Sequence, residues 1–317
     1  LKINLNGLFT RTNFDDGAFV RLGGITSTVE DGVTLYHGKP VVGDLNRANT
    51  YTAPFSKKID YLSGVINWDL GQLTAVSATS YSHTVTAQRQ DASDLYGAYT
   101  QLFGLAPGVS FFDLGLDLKK WTQEFRLQSP TGGTFEWLVG AFYTHEDSAN
   151  HQIVQVYDNN YQPITDPGIA PFFNPYFALA EVPTIYQEYA AFGDLTWNIS
   201  PRFDVTGGLR YAHNQQKFHQ ITDGLILGGF TDAPGASSEG VTTWSINARY
   251  RFTDEVMGYA RVATGYRPGG PNVTLPGVPP TVGSDTLTNY EAGIKSTFWD
   301  GKALLNFTVF DIEWKNI

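Results

Sequence analysis

Apolar and polar side chains alternate one by one along residues 241–270, and this stretch sets the pattern for the chain. The apolar positions of its first arm are Trp244, Ile246, Ala248, Tyr250 and Phe252. The polar positions between them are Thr243, Ser245, Asn247, Arg249 and Arg251. A period of two predicts a β-strand with one apolar and one polar face. Three polar residues at 253–255 precede a second arm at 256–266, which predicts an antiparallel hairpin.

The two faces of this hairpin predict two environments. In the second arm, one face carries Val256, Ala260, Val262 and Tyr266, and the other carries Met257, Tyr259, Arg261 and Arg267. We expect Arg249, Arg251 and Arg261 to face a polar interior. We expect Trp244, Ile246 and Phe252 to face lipid, because an arginine at the middle of a lipid-facing strand costs about 2–4 kcal/mol.

The same alternation recurs in about eleven long segments. Short turns are expected at 69–72, 129–133, 200–202, 253–255 and 300–302. Longer irregular loops are expected at about 12–51, 91–116, 158–183, 221–239 and 269–285. The alternation is weakest in residues 53–90, where the register rests on the turn.

Short and long connections alternate strictly along the chain, which a soluble sandwich gives no reason for. Transmembrane barrels have short turns at one rim and long loops at the other. The pattern therefore predicts an all-β fold, an antiparallel up-and-down transmembrane β-barrel, with the five long loops at one rim.

Composition agrees with this class and excludes others. Aromatic residues make up 14% of the 317 residues, glycine occurs 33 times and methionine once, which suits long strands with aromatic girdles. The net charge of −10 argues against nucleic acid as a partner. There is no cysteine, and no apolar run approaches the roughly 18 residues of a membrane-spanning helix. A membrane crossing by this chain would therefore require a barrel.

Four strings, in this order, resemble the TonB-dependent outer-membrane receptors. They are WTQEFRLQSP with FEWLVGAFY (121–130, 135–143), FGDLTWNISPRFDVTGGLRYAHNQQKF (192–218), TDEVMGYARVATGYRPGGPN (253–272) and NYEAGIKSTFWDGKALLNFTVFDIEWKNI (289–317). Together they span about two-thirds of the chain. The resemblance implies a receptor in the outer membrane of a Gram-negative bacterium, which imports a scarce nutrient such as a ferric siderophore or similar chelate. It also implies that the TonB complex supplies the energy for import and that the receptor contacts outer-membrane lipid.

The family pattern is longer than this sequence. Family members have a TonB box, a plug domain and a barrel of 22 strands, whereas about eleven strands are expected here. We therefore expect residues 1–317 to be an internal part of the barrel domain, with the plug, the TonB box and the C-terminal strands outside it, and to form a curved open sheet or a strained barrel. A passive porin-like or adhesin-type barrel is the alternative. Siderophore, haem, cobalamin and glycan all remain open as substrates.

Two groups of residues are candidates for ligand contact. The first is a set of arginines on the predicted polar face: Arg210, Arg249, Arg251, Arg261 and Arg267. They would attract an anionic ferric chelate or hold the plug. The second is a set of aromatic loop residues: Tyr96, Tyr99, Phe103, Phe111, Phe172, Phe173 and Tyr176. They would cap a planar ligand or pack against one another.

Enzymatic and metal sites are not expected. The pairs Glu124/Arg126 and Glu291/Lys295 suit charge ladders along a barrel wall better than acid–base catalysis. Residues 145–147 with His151 suit a polar strand end, and His213 and His219 lie roughly 20 Å apart on one strand face. No cofactor is implied. Residues 266–270, with a proline and two glycines, suit a sharp exit from a strand.

Overall fold

A computed structural model describes residues 1–15, 22–30, 33–40, 52–272, 279 and 281–316. Within these ranges the chain forms one large sheet of 11 strands and two small two-stranded sheets. The strands are β1 (Lys2–Phe14), β2 (Leu22–Glu30), β3 (Val33–Pro40), β4 (Phe55–Asp69), β5 (Thr74–Asp91), β6 (Val109–Gln128), β7 (Phe135–Tyr157), β8 (Ala178–Ser200), β9 (Phe203–Asp223), β10 (Thr231–Arg251), β11 (Val256–Arg267), β12 (Gly270–Pro271), β13 (Thr281–Val282), β14 (Asp285–Phe298) and β15 (Ala303–Lys315). The short helices are α1 (Ser93–Tyr96) and three 3-10 helices, Gly97–Phe103, Ala170–Phe172 and Leu225–Leu227.

The large sheet is antiparallel and up-and-down, as the sequence predicts. Its order is β1-β4-β5-β6-β7-β8-β9-β10-β11-β14-β15, so each strand of this sheet pairs with the strand of the same sheet that follows it in the chain. The sheet begins at β1 and ends at β15 and is therefore open. The five longer connections meet at one edge, called here the loop edge, and the five short turns meet at the other, the turn edge. The predicted separation of loops and turns is confirmed.

Several strands extend further towards the loop edge than the sequence suggests. β6 begins at Val109 and β8 at Ala178, and the loop expected at 221–239 shrinks to residues 224–230. The segment TDAPGASSEG at the start of β10 has no useful alternation, yet it forms a continuous ladder with β9. Pairing with a neighbouring strand overrides the weak local preference there. The first long loop, expected to be irregular, contains the β2–β3 hairpin.

The pairing of β4 with β5 and the facing of the β10–β11 hairpin both agree with the sequence. β4 and β5 pair from Phe55↔Gln88 to Asp69↔Thr74, as the turn at 69–72 requires. Polar-face side chains of β8, β9, β10, β11 and β14 line one cavity, so this face is concave. Arg249 and Arg261 lie on it, while Ile246 lies on the opposite, apolar face and is 53% exposed. The predicted facing of Arg249, Arg261 and Ile246 is confirmed.

Aromatic side chains form two rows on the apolar face. The loop-side row consists of Tyr81, Trp121, Tyr143, Tyr189, Tyr211, Trp244 and Tyr290. The turn-side row consists of Trp68, Phe135, Trp197, Phe203, Tyr250, Phe252 and Phe298. On β7, β8, β9, β10 and β14 members of the two rows are eight residues apart in sequence, which is about 27 Å along a strand. Between the rows these five strands carry no charged side chain on the apolar face.

The loops contribute an apolar core of their own. Its buried members are Val154, Val156, Ile164, Phe173, Phe177 and Ala178. They join the loop-edge ends of β7 and β8 to the connections above them, so these loops are packed onto the concave side of the sheet. No helix in the described ranges has the length and hydropathy needed to span a membrane.

Candidate functional site

The centre of the concave face is organised around the carboxylate of Glu188. Its Oε1 accepts a hydrogen bond from Arg210 Nη2 at 2.6 Å. Its Oε2 accepts hydrogen bonds from Tyr186 at 2.7 Å and from Tyr266 at 2.9 Å. The side chain of Glu188 is only 11% exposed. A buried charge is tolerated when it is paired and hydrogen-bonded, and this one satisfies both oxygens.

Arg210 is held by aromatic rings as well as by Glu188. Its guanidinium carbon lies 5.1 Å from the ring centre of Phe142 and 5.8 Å from that of Phe192. Both distances suit a cation–π interaction. One of its hydrogen-bond donors is used by Glu188, and Arg210 also lines the cleft below. The site therefore presents an oriented guanidinium, which has further N–H donors besides the one that binds Glu188.

Tyr266 reaches this network because β11 leaves β10 early. The β10–β11 ladder stops at Ser245↔Ala263. Beyond it, the hydroxyl of Thr264 accepts from Trp244 N at 2.8 Å and donates to Trp244 O at 3.2 Å, in place of a backbone pair. The phenol of Tyr266 then crosses the concave space to β8. The sequence places Tyr266 with the apolar residues of β11, and that prediction is wrong, because the alternation ends where the ladder ends.

A cleft of about 370 Å³ lies beside Arg210. Its charged lining residues are Glu124, Arg126, Asp194, Arg210 and Arg261. Arg126 and Glu124 form an ion pair on β6. Arg261 and Asp194 have no ion pair among the residues that the structure describes. Arg261 is therefore a cation available to an anion in the cleft.

The other predicted arginines lie elsewhere on the concave face. Arg249 and Arg251 bind Asp204 near the turn edge, at 2.8 and 3.3 Å, and Asp204 is 1% exposed. Arg267 pairs with Asp285 near the loop edge, and its guanidinium lies 5.4 Å from the ring centre of Trp314. The five arginines thus spread over the height of the sheet, and the cleft combines only Arg210 and Arg261.

The predicted aromatic loop residues pack mainly against one another. Phe103 lies 5.0 Å from Phe172 and 5.4 Å from Phe173 between ring centres. Tyr96 and Tyr99 contact the buried Phe177. Phe173 is 1% exposed and belongs to the apolar core of the loops. Phe172 and Tyr99 keep 41% and 36% of their surface exposed.

Two further aromatic candidates have their own partners. The hydroxyl of Tyr176 donates to Asp223 at 2.9 Å, and this hydrogen bond raises the pKa of Tyr176. Tyr176 therefore ties the connection before β8 to the end of β9. Phe111 packs edge-to-face against Tyr157, and the guanidinium of Arg89 lies 4.8 Å from the ring centre of Phe111.

Five histidines lie on the apolar face of the large sheet, nearer the loop edge than the loop-side aromatic row: His83, His145, His151, His213 and His219. His151 bonds Glu181 at 2.9 Å, and His219 pairs with Asp232. His145 and Glu146 are adjacent and so face opposite sides of β7. Within the described ranges, no three or more potential ligands come together to hold a metal ion.

Sequence reasoning missed the network around Glu188. Alternation placed Glu188 on the polar face, where β8 carries several other polar residues, and nothing local distinguishes it from them. Tyr186 and Tyr266 are ordinary strand tyrosines in the sequence. The only signal was the proline and paired glycines after Arg267, which marked an irregular exit but not its direction.

The fold and the site together define a class. An antiparallel up-and-down sheet, with a polar concave face and an apolar face bounded by two aromatic rows, is the wall of a membrane-type β-barrel. Residues 3–317 match the family model described as TonB dependent receptor-like, beta-barrel. The chain therefore belongs to the TonB-dependent receptor family.

Individual proteins that are similar to this chain are also receptors. The pesticin receptor of Yersinia pestis is 34% identical over 121 residues, which cover 35% of this chain and 17% of that protein. The pesticin receptor of Yersinia enterocolitica is 33% identical over the same coverage. Among the solved structures, the ferric yersiniabactin uptake receptor FyuA of Yersinia pestis gives a TM-score of 0.63 at 18% identity, covering 84% of this chain and 37% of that one.

The siderophore receptor PiuA of Acinetobacter baumannii gives a TM-score of 0.65 at 15% identity, covering 97% of this chain and 47% of that one. At these identities the likeness shows the fold. The chain spans less than half of either solved receptor.

Proposed function

We propose that residues 1–317 form part of the barrel wall of a TonB-dependent receptor in the outer membrane of a Gram-negative bacterium. The receptor imports a ferric siderophore or a similar chelate, with energy from the TonB complex. In this proposal the plug and the TonB box lie in segments other than these residues. The family supports it, as do two structurally similar proteins, a ferric yersiniabactin uptake receptor and a siderophore receptor.

The apolar face supports contact with outer-membrane lipid. Two aromatic rows eight residues apart bracket a stretch without charge. Tilted strands of this length match an apolar band of about 25 Å flanked by aromatic girdles. Strands β6 to β10, with 20 to 23 residues each, continue well beyond this band towards the loop edge.

One observation is the main support for an anionic ligand: an oriented guanidinium lies under the loops, on the inner side of the barrel wall. Glu188 and Arg210 precede Tyr189 and Tyr211, so the network lies level with the loop-side aromatic row. Arg210 lines the same cleft as Arg261, which has no ion pair with any residue that the structure describes. Together they favour an anionic chelate that enters from the loop edge.

The exposed loop aromatics form the entrance in this proposal. Tyr99 and Phe172 offer ring surface to a planar ligand, while Tyr96, Phe103, Phe173 and Tyr176 hold the loops that present them. Near the turn edge, Arg249 and Arg251 share the carboxylate of Asp204, and in this proposal they brace the wall against the plug. The proposed role is transport, as membership of this receptor family suggests.

The test is iron uptake by cells that lack their own siderophore receptors and carry the receptor containing this chain. Radioactive iron is supplied as ferric yersiniabactin, ferric citrate or ferripyoverdine. We expect uptake of at least one chelate, its loss in a strain without TonB, and a strong reduction by Arg210→Ala. Arg202→Ala is the matched control, because Arg202 lies in a turn at the opposite edge. Uptake that continues without TonB would identify a passive barrel instead.

A further inference from the structure

The loop-side half of β10 pairs with a neighbouring strand on one side only, among the residues that the structure describes. Its ladder with β9 is continuous as far as Thr231, at the loop edge of the sheet. Its ladder with β11 stops at Ser245. Residues 231–243 therefore have a strand edge without a partner, on the side where β11 would otherwise continue. This side of residues 231–243 is called here the open flank.

Every second residue of β10 directs its backbone N–H and C=O groups towards the open flank. Trp244 N and O bond the hydroxyl of Thr264 on β11, whereas Arg251 N bonds a carbonyl oxygen in the β8–β9 turn. Even-numbered residues of β10 thus point away from β9, because backbone groups alternate in direction along an antiparallel strand. Four consecutive members of this set have backbone groups without a bond to any described residue: Ala236, Ser238, Gly240 and Thr242.

Pro234 agrees with an unpaired flank. It is also an even-numbered residue, so the N–H that proline lacks would point to the open flank. Proline is confined to such positions in sheets because it cannot donate to a ladder. Native strand edges are usually protected by proline, lysine or a bulge. Residues 236–243 contain neither proline nor lysine, and their register with β9 has no shift, so this part of the flank is not protected.

The open flank begins at the loop-side aromatic row, to which Trp244 belongs, and extends towards the loop edge. Unpaired backbone groups are costly in hydrocarbon but are hydrated in water. The separation of β10 from β11 therefore starts where the wall leaves the apolar band. Above that level the flank can be reached by a partner dissolved in water.

We propose that residues 236–242 of β10 bind an extended, basic segment of another polypeptide by strand addition. The added strand continues the sheet and exchanges main-chain hydrogen bonds with the four unpaired residues. The carboxylate of Glu239 accepts a hydrogen bond from Ser284 and has no ion pair among the described residues, so a lysine or arginine in the added strand complements it. This role is separate from chelate uptake and uses only one part of the proposed function, the exposure of the loop edge to the outside.

Two other occupants of the flank are less compatible with the fold. Strands of the receptor from outside residues 1–317 would join the sheet at β1 or β15, because these are its two ends. A second copy in the same membrane has the same orientation, and barrel strands tilt by about 35–45°. Two β10 strands related by an axis normal to the membrane would therefore cross at a wide angle and could not pair.

Hydrogen exchange tests the flank without any partner. In the receptor containing this chain, held in lipid nanodiscs, we expect the amides of Ser238 and Gly240 to exchange rapidly. The amides of Ser237 and Glu239 point to β9 and should exchange slowly. Mass spectrometry with electron-transfer fragmentation distinguishes single amides. Equal protection of the two sets would show that another part of the receptor covers the flank, and would overturn the proposal.

A synthetic nonapeptide with a fluorophore tests the partner. It alternates threonine and valine and has one central lysine. We expect saturable binding to the receptor by fluorescence anisotropy, together with slower exchange of the Ser238 and Gly240 amides. Glutamate in place of the lysine should weaken binding roughly tenfold, because the charge would face Glu239. Absence of saturable binding would overturn the proposal, and equal binding of the two peptides would overturn the basic partner.

Ser238→Pro blocks the flank and leaves the β9 ladder intact, because the N–H of Ser238 points away from β9. Pro234 shows that the strand accommodates proline in this orientation. We expect Ser238→Pro to weaken binding of the lysine peptide roughly tenfold, whereas Ser238→Ala, which keeps the N–H, should bind normally. Heat-modifiable migration checks folding, and Ala236→Pro is a second blocking variant.

Unchanged peptide binding by a folded proline variant would show that the peptide binds elsewhere, and would overturn the proposal. Binding is measured without any ferric chelate. Failure of the proposed uptake would therefore leave the result for strand addition unaffected.

Discussion

At the scale of single residues, the site depends on the buried carboxylate of Glu188. It compensates the charge of Arg210 and accepts two tyrosine hydroxyls. Removing it leaves a partly buried guanidinium without a partner. Such losses are costly because the remaining charge stays desolvated.

We expect Glu188→Ala to lower the free energy of unfolding of the receptor by roughly 2–4 kcal/mol. The double variant with Arg210→Ala should lose less than the sum of the two single variants, since the orphaned charge is gone. Urea unfolding in lipid vesicles measures both. Asp194→Asn, on the same strand and without an ion pair in the described residues, is the control and should change little. Additive losses would show that the two residues are independent.

A second prediction concerns two strand glycines. A Cβ on Gly140 would lie 2.4 Å from the ring of Phe192 and 2.8 Å from the carbonyl oxygen of Phe125, whereas one on Gly207 would meet nothing within 4 Å. Gly140→Ala should displace the ring that stacks on Arg210 and destabilise the receptor by about 1–3 kcal/mol. Gly207→Ala should be neutral or slightly stabilising. The same unfolding assay compares them, and equal effects would contradict the packing described.

At the scale of elements, each long strand has one apolar face and one polar face on the concave side of the sheet. Ile246 and Asn247 are neighbours on β10 and face opposite sides of the sheet. The sequence predicts this from alternation alone. The free-energy cost of introducing a charged side chain therefore depends on which face of the strand carries it.

We expect Ile246→Arg to destabilise the receptor by about 2–4 kcal/mol, because the guanidinium would enter the apolar band. Asn247→Arg, one residue further along the strand, should have little effect because it faces the concave side. The yield of folded receptor in outer membranes and the unfolding free energy both report the difference. Similar losses of unfolding free energy in the two variants would contradict our assignment of the faces.

At the scale of the whole molecule, the open sheet leaves two long edges. β1 and β15 each pair on one side only among the described strands. In hydrocarbon each unpaired backbone group costs several kcal/mol. Exposed edges also promote association between chains.

We therefore expect the 317-residue chain expressed alone to aggregate in detergent and to show no heat-modifiable migration on a gel. The receptor containing it should migrate as a compact, heat-modifiable species. A heat-modifiable band from the chain alone would show that its two edges close on each other, and the open sheet would then not be its stable form.

The sequence by itself determined the strand period, the two faces, the order of the sheet and the edge at which each connection lies. These follow from local rules: alternation with period two, turn residues at short connections, and antiparallel pairing of neighbours. Residues such as Ile246 and Arg261 could therefore be placed correctly. The family could be suspected from four strings of residues along the same strands.

Only the tertiary structure decided the site. Tyr266 and Glu188 are 78 residues apart in the chain, and Gln216 and Gly269 are 53 apart. No local pattern relates them, and the inward turn of Tyr266 depends on where the β10–β11 ladder ends. The sequence likewise offered Phe173 as a ligand contact, and the packing of three loops made it a core residue. Alternation specifies the side of a strand on which a side chain lies, but contacts between distant segments specify its partner.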